Sequence, residues 1–225
     1  MEAFKGSMEN ILFLIIVSIV VLVLILTIAL KKLPLLGQTG KLWAGETSSL
    51  PAYQTGSSQS EACVNQQKLE IYLKWPTEDG TISSWFCKER EGTSEPHRGI
   101  DIAVSKGTPV YAAESGIVYD VYRSCSERAD CPNIEGRKGF GNYIILKHTD
   151  PNGKEYYTWY LHLKSVNVKK NQGIEKGKEI GKSGNTGYSE GPHLHFSISI
   201  EPIYDIQYML NPCDYLECEK HRQVA

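Results

Sequence analysis

The chain has 225 residues, a net charge of −2 and a sequence pI of about 6.3. That length carries one domain plus accessory segments, and the near-neutral balance lacks the basic footprint of a nucleic-acid-binding protein. Thirteen tyrosines against five phenylalanines, with 20 glycines and 10 prolines, favour a turn-rich β protein whose strands keep one wet face.

Residues 1–10 form a short N-terminal segment. Residues 11–30 (ILFLIIVSIVVLVLILTIAL) contain no charge. As a helix they would span about 30 Å, the thickness of a bilayer core, and the run predicts a single transmembrane helix. A buried core helix seldom stays apolar on every face for five turns. A cleaved secretory signal would be shorter and end at small residues, whereas Lys31 and Lys32 follow here. The flanking charges, with Lys31, Lys32 and Lys41 after the run and Lys5 before it, place the C-terminal side in the cytoplasm by a bare count. Long domains translocate largely regardless of such charges. Lys5-Gly6, then Glu9 and the apolar run, resembles the leader of type IV pilin-like proteins, which are cleaved after the glycine and exported. Residues 31–60, rich in Gly, Ser and Thr, read as a linker to a domain over 61–225.

Six cysteines all follow the apolar run: Cys63, Cys87, Cys125, Cys131, Cys213 and Cys218. None forms a CxxC pair, which argues against a structural zinc knuckle. Local bridges Cys125–Cys131 and Cys213–Cys218 would pin a polar loop and the C-terminal tail, leaving Cys63–Cys87 to tie down the start of the domain. Oxidised pairs persist outside the cytosol, so the expected location is a single-pass membrane protein with its domain on the extracytoplasmic side.

From Leu69 onward strands and turns alternate. Thr108–Ala113, Gly116–Tyr122, Asn142–His148, Glu155–Leu163 and His193–Ile200 are rich in β-branched and aromatic residues. Asn142–His148 alternates only partly and reads as a mostly buried strand. Pro151-Asn-Gly153 is a hairpin signal. Glycines 173, 177, 181, 184 and 187 each mark a turn. No sustained helical period occurs after residue 60, and the expected fold class is all-β, an antiparallel sheet, curled or layered.

Four of the six histidines fall in three short segments with an aspartate: His97-Arg-Gly-Ile-Asp101, Tyr160-Leu-His162-Leu and Gly191-Pro-His193-Leu-His195-Phe. In a strand, His193 and His195 project from one face about 6.6 Å apart, while Leu194 and Phe196 face the core. Two such imidazoles can meet one metal, or one can bind while the other works beside it. His97 and Asp101 would lie about 13 Å apart in a straight strand, so that segment must bend, with Gly99 permitting the turn. Two histidines and one aspartate suit a zinc ion with a fourth position left open. HExxH is absent, which excludes the glutamate base of helical zinc proteases.

These motifs, together with Gly107-Thr-Pro-Val-Tyr-Ala-Ala, Ser115-Gly-Ile-Val, Gly141-Asn-Tyr-Ile-Ile-Leu-Lys-His148 and Gly181-Lys-Ser-Gly-Asn-Thr-Gly187, occur in an order that resembles the M23 family of zinc metallopeptidases, the lysostaphin and LytM-like endopeptidases. The resemblance covers about residues 94–212. It implies a β-roll of the hybrid-motif type, one Zn2+ per chain held by His97, Asp101 and His195, and a catalytic pair, His162 and His193. It implies endopeptidase action on cell-wall peptides, the peptidoglycan stem peptides or cross-bridges, as substrate. His148 matches a structural position and His221 matches nothing. The loop between Cys125 and Cys131 and the tail after Pro212 are extra to the family pattern. Two rivals stand beside this reading. One is a non-catalytic LytM-like regulator of another wall hydrolase, although such proteins usually lose ligands. The other is a sugar-phosphotransferase carrier domain, which would be cytosolic and needs neither H-x-x-x-D nor H-L-H.

Overall fold

The computed structural model describes residues 63, 67–89, 95–126, 131, 137 and 139–222, all within one compact unit, Thr55–Ala225. The expected transmembrane helix at 11–30, its lead-in at 1–10 and the linker at 31–60 lie outside the described residues. Among those described, no helix is long and apolar enough to cross a membrane.

The described residues form an all-β fold of eleven strands and three short 3-10 turns. The strands are β1 Thr81–Ser84, β2 Ile100–Ala103, β3 Pro109–Tyr111, β4 Gly116–Tyr122, β5 Asn142–Thr149, β6 Glu155–Leu163, β7 Ser165–Val166, β8 Gly173–Ile174, β9 Glu179–Lys182, β10 His193–Ser199 and β11 Met209–Leu210. The main sheet runs β1-β2-β10-β6-β5-β4-β8, with β11 added to the end of β10; β3-β9-β7 make a second, small sheet. Every ladder is antiparallel. The five long strand expectations hold, with the first shortened to Pro109–Tyr111. The glycine-rich stretch 173–187 carries two short strands, β8 and β9, as well as turns.

The β5–β6 hairpin forms as the Pro151-Asn-Gly153 signal dictates. Gly153 takes φ +81°, and Asp150 Oδ1 accepts the backbone N–H groups of Asn152 and Lys154. The two strands then pair from Thr149↔Glu155 back to Asn142↔Leu163. Both are apolar on both faces, because the sheet is covered on both sides. On one side Ile144, Leu146, Tyr160, Leu194, Phe196 and Ile198 join the main core. On the other, Tyr143, Ile145, Tyr157, Trp159 and Leu161 pack with Phe140 beneath Tyr122 and Tyr204. This double cover explains why Asn142–Leu146 reads as an almost unbroken buried run. Each fully buried Ile, Leu or Phe side chain here contributes about 1.5–3 kcal/mol of transfer free energy.

The structure pairs Cys63 with Cys87, Cys125 with Cys131 and Cys213 with Cys218.

His148 is buried on β5. Its Nδ1–H donates to the Ser115 carbonyl at 2.8 Å, Nε2 lies 2.8 Å from the Thr158 hydroxyl, and the ring stacks on Tyr156. Burial pushes this imidazole down to about 4. The unfolded chain therefore binds a proton that the fold refuses. The associated stability is complete above about pH 6.5 and is lost as pH falls toward 4, on the order of 3 kcal/mol in all. Urea unfolding of metal-free protein at pH 7 and pH 4 is expected to show that extra loss in the wild type relative to His148→Gln. Equal pH dependence in the two proteins would refute the assignment.

Candidate metal centre

The site is built on three adjacent strands of the main sheet. β10 lies centrally, with β2 on one side and β6 on the other. His195 pairs directly with Asp101 across β2 and with Leu161 across β6. Cross-strand partners share a face, so the carboxylate and the imidazole meet because of register alone. Asp101 Oδ1 lies 2.7 Å from His195 Nδ1.

His97 arrives from the chain just before β2. Its Nε2 lies 3.1 Å from Asp101 Oδ1 and 3.0 Å from His195 Nδ1. The bend expected between His97 and Asp101 is present, but Gly99 serves it differently from the expectation. Its φ is not left-handed; the requirement is space. A Cβ at this position would overlap the Phe196 carbonyl oxygen and the Ser197 hydroxyl and lie 2.8 Å from His195 Nε2. Glycine is needed because the chain entering β2 passes so close to the His195 imidazole.

The outward nitrogen of each histidine is held by an oxygen. His97 Nδ1–H donates to the Trp85 carbonyl at 2.9 Å. His195 Nε2 sits 2.7 Å from both the Ser197 hydroxyl and the Tyr204 hydroxyl. A carbonyl can only accept, which fixes the His97 tautomer and leaves Nε2 as a bare lone pair. Where His195 Nε2–H donates to one of these hydroxyls, Nδ1 is left as a lone pair; where a hydroxyl donates to Nε2, Nδ1–H donates to Asp101 instead. Three electron-pair donors, two nitrogens and one carboxylate oxygen, thus converge on one point, all within 4.8 Å of one another. In the absence of a metal, protons on these rings hydrogen-bond Asp101; with those protons released, the donor set fits a divalent zinc ion with a further position open.

His162 and His193 stand beside this cluster, their ring centroids 4.8 Å apart. His193 shares its face with His195, two residues on. Simple alternation along β6 would put His162 on the opposite face, with Tyr160 and Thr158. Instead its backbone takes φ +61°, next to a register shift between β5 and β6. That left-handed conformation costs about 1–2 kcal/mol in a non-glycine residue and turns the ring toward the histidines of β10. His162 Nδ1–H donates to the Thr186 carbonyl and His193 Nδ1–H to the Gly191 carbonyl, both at 2.8 Å. Nε2 of each ring is therefore the nitrogen left facing the site, and His193 Nε2 lies 3.7 Å from Asp101 Oδ1.

The electrostatics agree with this arrangement. Burial pushes the His162 imidazole down to about 3, with repulsion from His193 and His195 acting the same way. Burial likewise pushes His195 down to about 4, against the pull of Asp101. Burial alone would raise the Asp101 carboxyl, but hydrogen bonds from His195 and His97 outweigh it and hold the group well below the usual carboxylate range. His162 and His195 are thus held neutral and Asp101 anionic, the protonation states that metal binding demands of such groups.

All five sequence-designated residues, His97, Asp101, His162, His193 and His195, are thus brought together, while His148 and His221 lie elsewhere. Supporting groups escaped the sequence reading: the Trp85, Thr186 and Gly191 carbonyls, Ser197 and Tyr204. Ser197 was accessible in principle, two residues beyond His195 on the same strand face. Tyr204 comes from the loop after β10 and packs edge-on against Phe140, with the Arg98 guanidinium 5.4 Å from its ring centre. Backbone carbonyls and a loop tyrosine leave no pattern to read.

Residues 95–205 match the model of peptidase family M23. An uncharacterized metalloprotease of Haemophilus influenzae is 41% identical over 134 residues, 57% of this chain and 25% of that protein. The peptidoglycan DD-endopeptidase ShyA of Vibrio cholerae is 38% identical over 138 residues, 60% of this chain and 27% of that protein. The alignment thus spans about a quarter of the length of these relatives. Among solved structures, the antimicrobial peptidase lysostaphin from Staphylococcus simulans superposes with a TM-score of 0.51 at 26% identity, covering 67% of this chain and 56% of that one.

Proposed function

Because residues 95–205 form a peptidase family M23 domain, we propose that the protein is a zinc-dependent endopeptidase that hydrolyses peptide bonds in the stem peptides or cross-bridges of peptidoglycan. The observation that carries this reading is the convergence of His97 Nε2, Asp101 Oδ1 and His195 Nδ1, each turned inward by a partner on its far side or by strand register. These three residues would hold one zinc ion per chain. When bound, zinc would lower the pKa of a water molecule to about 7 and polarise the scissile carbonyl.

The remaining chemistry belongs to the protein. His162 and His193 each turn Nε2 toward the centre, so either, as the free base, can take a proton from the attacking water. The imidazolium so formed is the acid that protonates the leaving amine, and the other ring, carrying at Nε2 a proton taken up from solvent beforehand, hydrogen-bonds the oxyanion of the tetrahedral intermediate and keeps that proton. Asp101, held as an anion, favours that transient positive charge. The fixed tautomers mean that no ring must reorient before proton transfer.

A relative named for its action on peptidoglycan, the DD-endopeptidase ShyA, supports the substrate class, and the antimicrobial peptidase lysostaphin supports peptidase activity. Three disulfides support a domain that works outside the cytoplasm. The apolar run 11–30 supports a single-pass membrane anchor.

The test is zinc content together with peptidoglycan-solubilising activity of the purified protein, with and without a chelator. One zinc per chain and chelator-sensitive release of peptide fragments are the expected result, and fragment masses then identify the bond. Zinc binding with no release from any peptidoglycan type would replace this reading with that of a wall-binding regulator. A protein without zinc that still binds wall material would do the same.

A further inference from the structure

Apart from the contacts at Nε2, every hydrogen bond of His97 ends on one short stretch of chain, residues 84–88. The Cys87 N–H donates to the His97 carbonyl at 2.8 Å, and the His97 N–H donates to the Lys88 carbonyl at 3.0 Å. Nδ1–H donates to the Trp85 carbonyl at 2.9 Å, and the Ser84 hydroxyl lies 3.1 Å from the same nitrogen. The orientation of His97 is therefore only as good as the placement of this stretch.

Most of the stretch has left the sheet. Ser84 is the last residue of β1, and residues 85–88 extend beyond it. Cys87 adopts φ +61°, a left-handed backbone that an L residue with a Cβ avoids unless its surroundings impose it. Two anchors do so. One is the Cys63–Cys87 disulfide, which ties the strained residue to a point 24 residues upstream. The other is the Arg222 guanidinium, 5.0 Å from the ring centre of Trp85. The disulfide acts on the residue whose N–H and neighbouring carbonyl clasp the backbone of His97.

We propose that the Cys63–Cys87 disulfide is a positioning cross-link for the metal ligand His97, so that the metal site reaches full affinity only in the oxidised protein. The inference rests on the reading of His97, Asp101 and His195 as zinc ligands. Reduction by a dithiol passes two electrons and two protons to the Cys63–Cys87 bond. The bond breaks to two thiols while the dithiol closes to its own disulfide, and no ligand is consumed. With residue 87 released, its left-handed backbone relaxes, the clasp on His97 loosens, and one of three ligands loses its fixed direction. A chain still in a reducing compartment then carries a weak metal site, and export to an oxidising one completes it. A wall-cutting domain built this way is silent until it reaches its place of work.

Zinc affinity, measured by competition with a chromophoric chelator on the full-length oxidised protein in detergent, decides the matter. Three proteins are compared: wild type, Cys63→Ser/Cys87→Ser, and Cys125→Ser/Cys131→Ser. The first double variant is expected to bind zinc about tenfold to a hundredfold more weakly, the range seen when groups orienting a ligand are removed. The second is expected to stay within about twofold of wild type. Unchanged affinity in Cys63→Ser/Cys87→Ser, even with a lowered melting temperature, overturns the proposal, as does an equal loss in both variants. Wild type that binds no zinc overturns the ligand reading itself and this inference with it. Should the serine pair prevent folding, stepwise reduction of the folded wild type, followed by alkylation and mass spectrometry, puts the same question to the native sequence. Zinc release that tracks alkylation of Cys87 supports the proposal, and zinc retained on chains alkylated at Cys87 refutes it.

Discussion

Alanine at position 195 is expected to empty the metal site, whereas asparagine at position 162 is expected to keep the metal and lose turnover. His195 stands at the centre of the ligand set. Its Nδ1 faces Asp101 Oδ1 at 2.7 Å and His97 Nε2 at 3.0 Å. A complete structural zinc site contributes roughly 10–16 kcal/mol of binding free energy, so a single ligand carries on the order of 3 kcal/mol. His195→Ala should therefore weaken zinc binding by at least about a hundredfold. It also leaves Asp101 with one hydrogen-bonding histidine fewer in a buried position.

His162 touches the site from the other side. Its Nδ1–H is spent on the Thr186 carbonyl, and its ring centroid is 6.0 Å from that of His195, beyond the triad of donor atoms. Asparagine tolerates the left-handed backbone that position 162 demands, so the variant removes the imidazole without adding strain. A positioned acid–base group contributes about 10²–10⁴-fold in rate, and the expected loss in kcat lies in that range with zinc content unchanged. Metal analysis of both purified variants and steady-state rates on a fragment-releasing substrate check the pair. Full zinc occupancy in His195→Ala would sink the ligand assignment. Undiminished turnover in His162→Asn would remove that residue from the chemistry.

That contrast also marks what a sequence can and cannot say about such a site. The shared face of His193 and His195 follows from a period of two, and so does the burial of Leu194 and Phe196 behind them. Which of the two histidines meets Asp101 does not follow. It is set by register: His195 falls opposite Asp101, while His193 falls opposite Ala103. Alternation along β6 gives the wrong face for His162, because the strained residue and the adjacent register shift are tertiary effects with no local signature. The long strands were legible from their β-branched and aromatic runs. The pairs Ser165–Val166, Gly173–Ile174 and Met209–Leu210 are too short for any period to show. The family resemblance supplied the roles that spacing left open, and the proposed function rests on them.

The tightest local constraint on the site is Gly99, and Gly99→Ala is expected to damage both fold and metal binding without touching a ligand. The added methyl would meet the Phe196 carbonyl oxygen first. That oxygen cannot retreat, because Phe196 is held on one side by Ile100 of β2 and on the other by Tyr160 of β6. The methyl would also lie 2.8 Å from His195 Nε2, the atom that the Ser197 and Tyr204 hydroxyls hold at 2.7 Å. Either β2 moves away from β10, which separates Asp101 from His195, or the His195 ring tilts out of its hydroxyl pair. Overpacking of this kind costs about 1–3 kcal/mol, and a domain of this size loses about 2–4 °C of melting temperature per kcal/mol. Zinc affinity should fall with it, by about tenfold or more, since the damage is transmitted to two of the three ligands. A Gly99→Ala protein with wild-type melting temperature and zinc affinity would show that β2 and β10 have slack here, and that the close approach of the two strands is not what aligns the site.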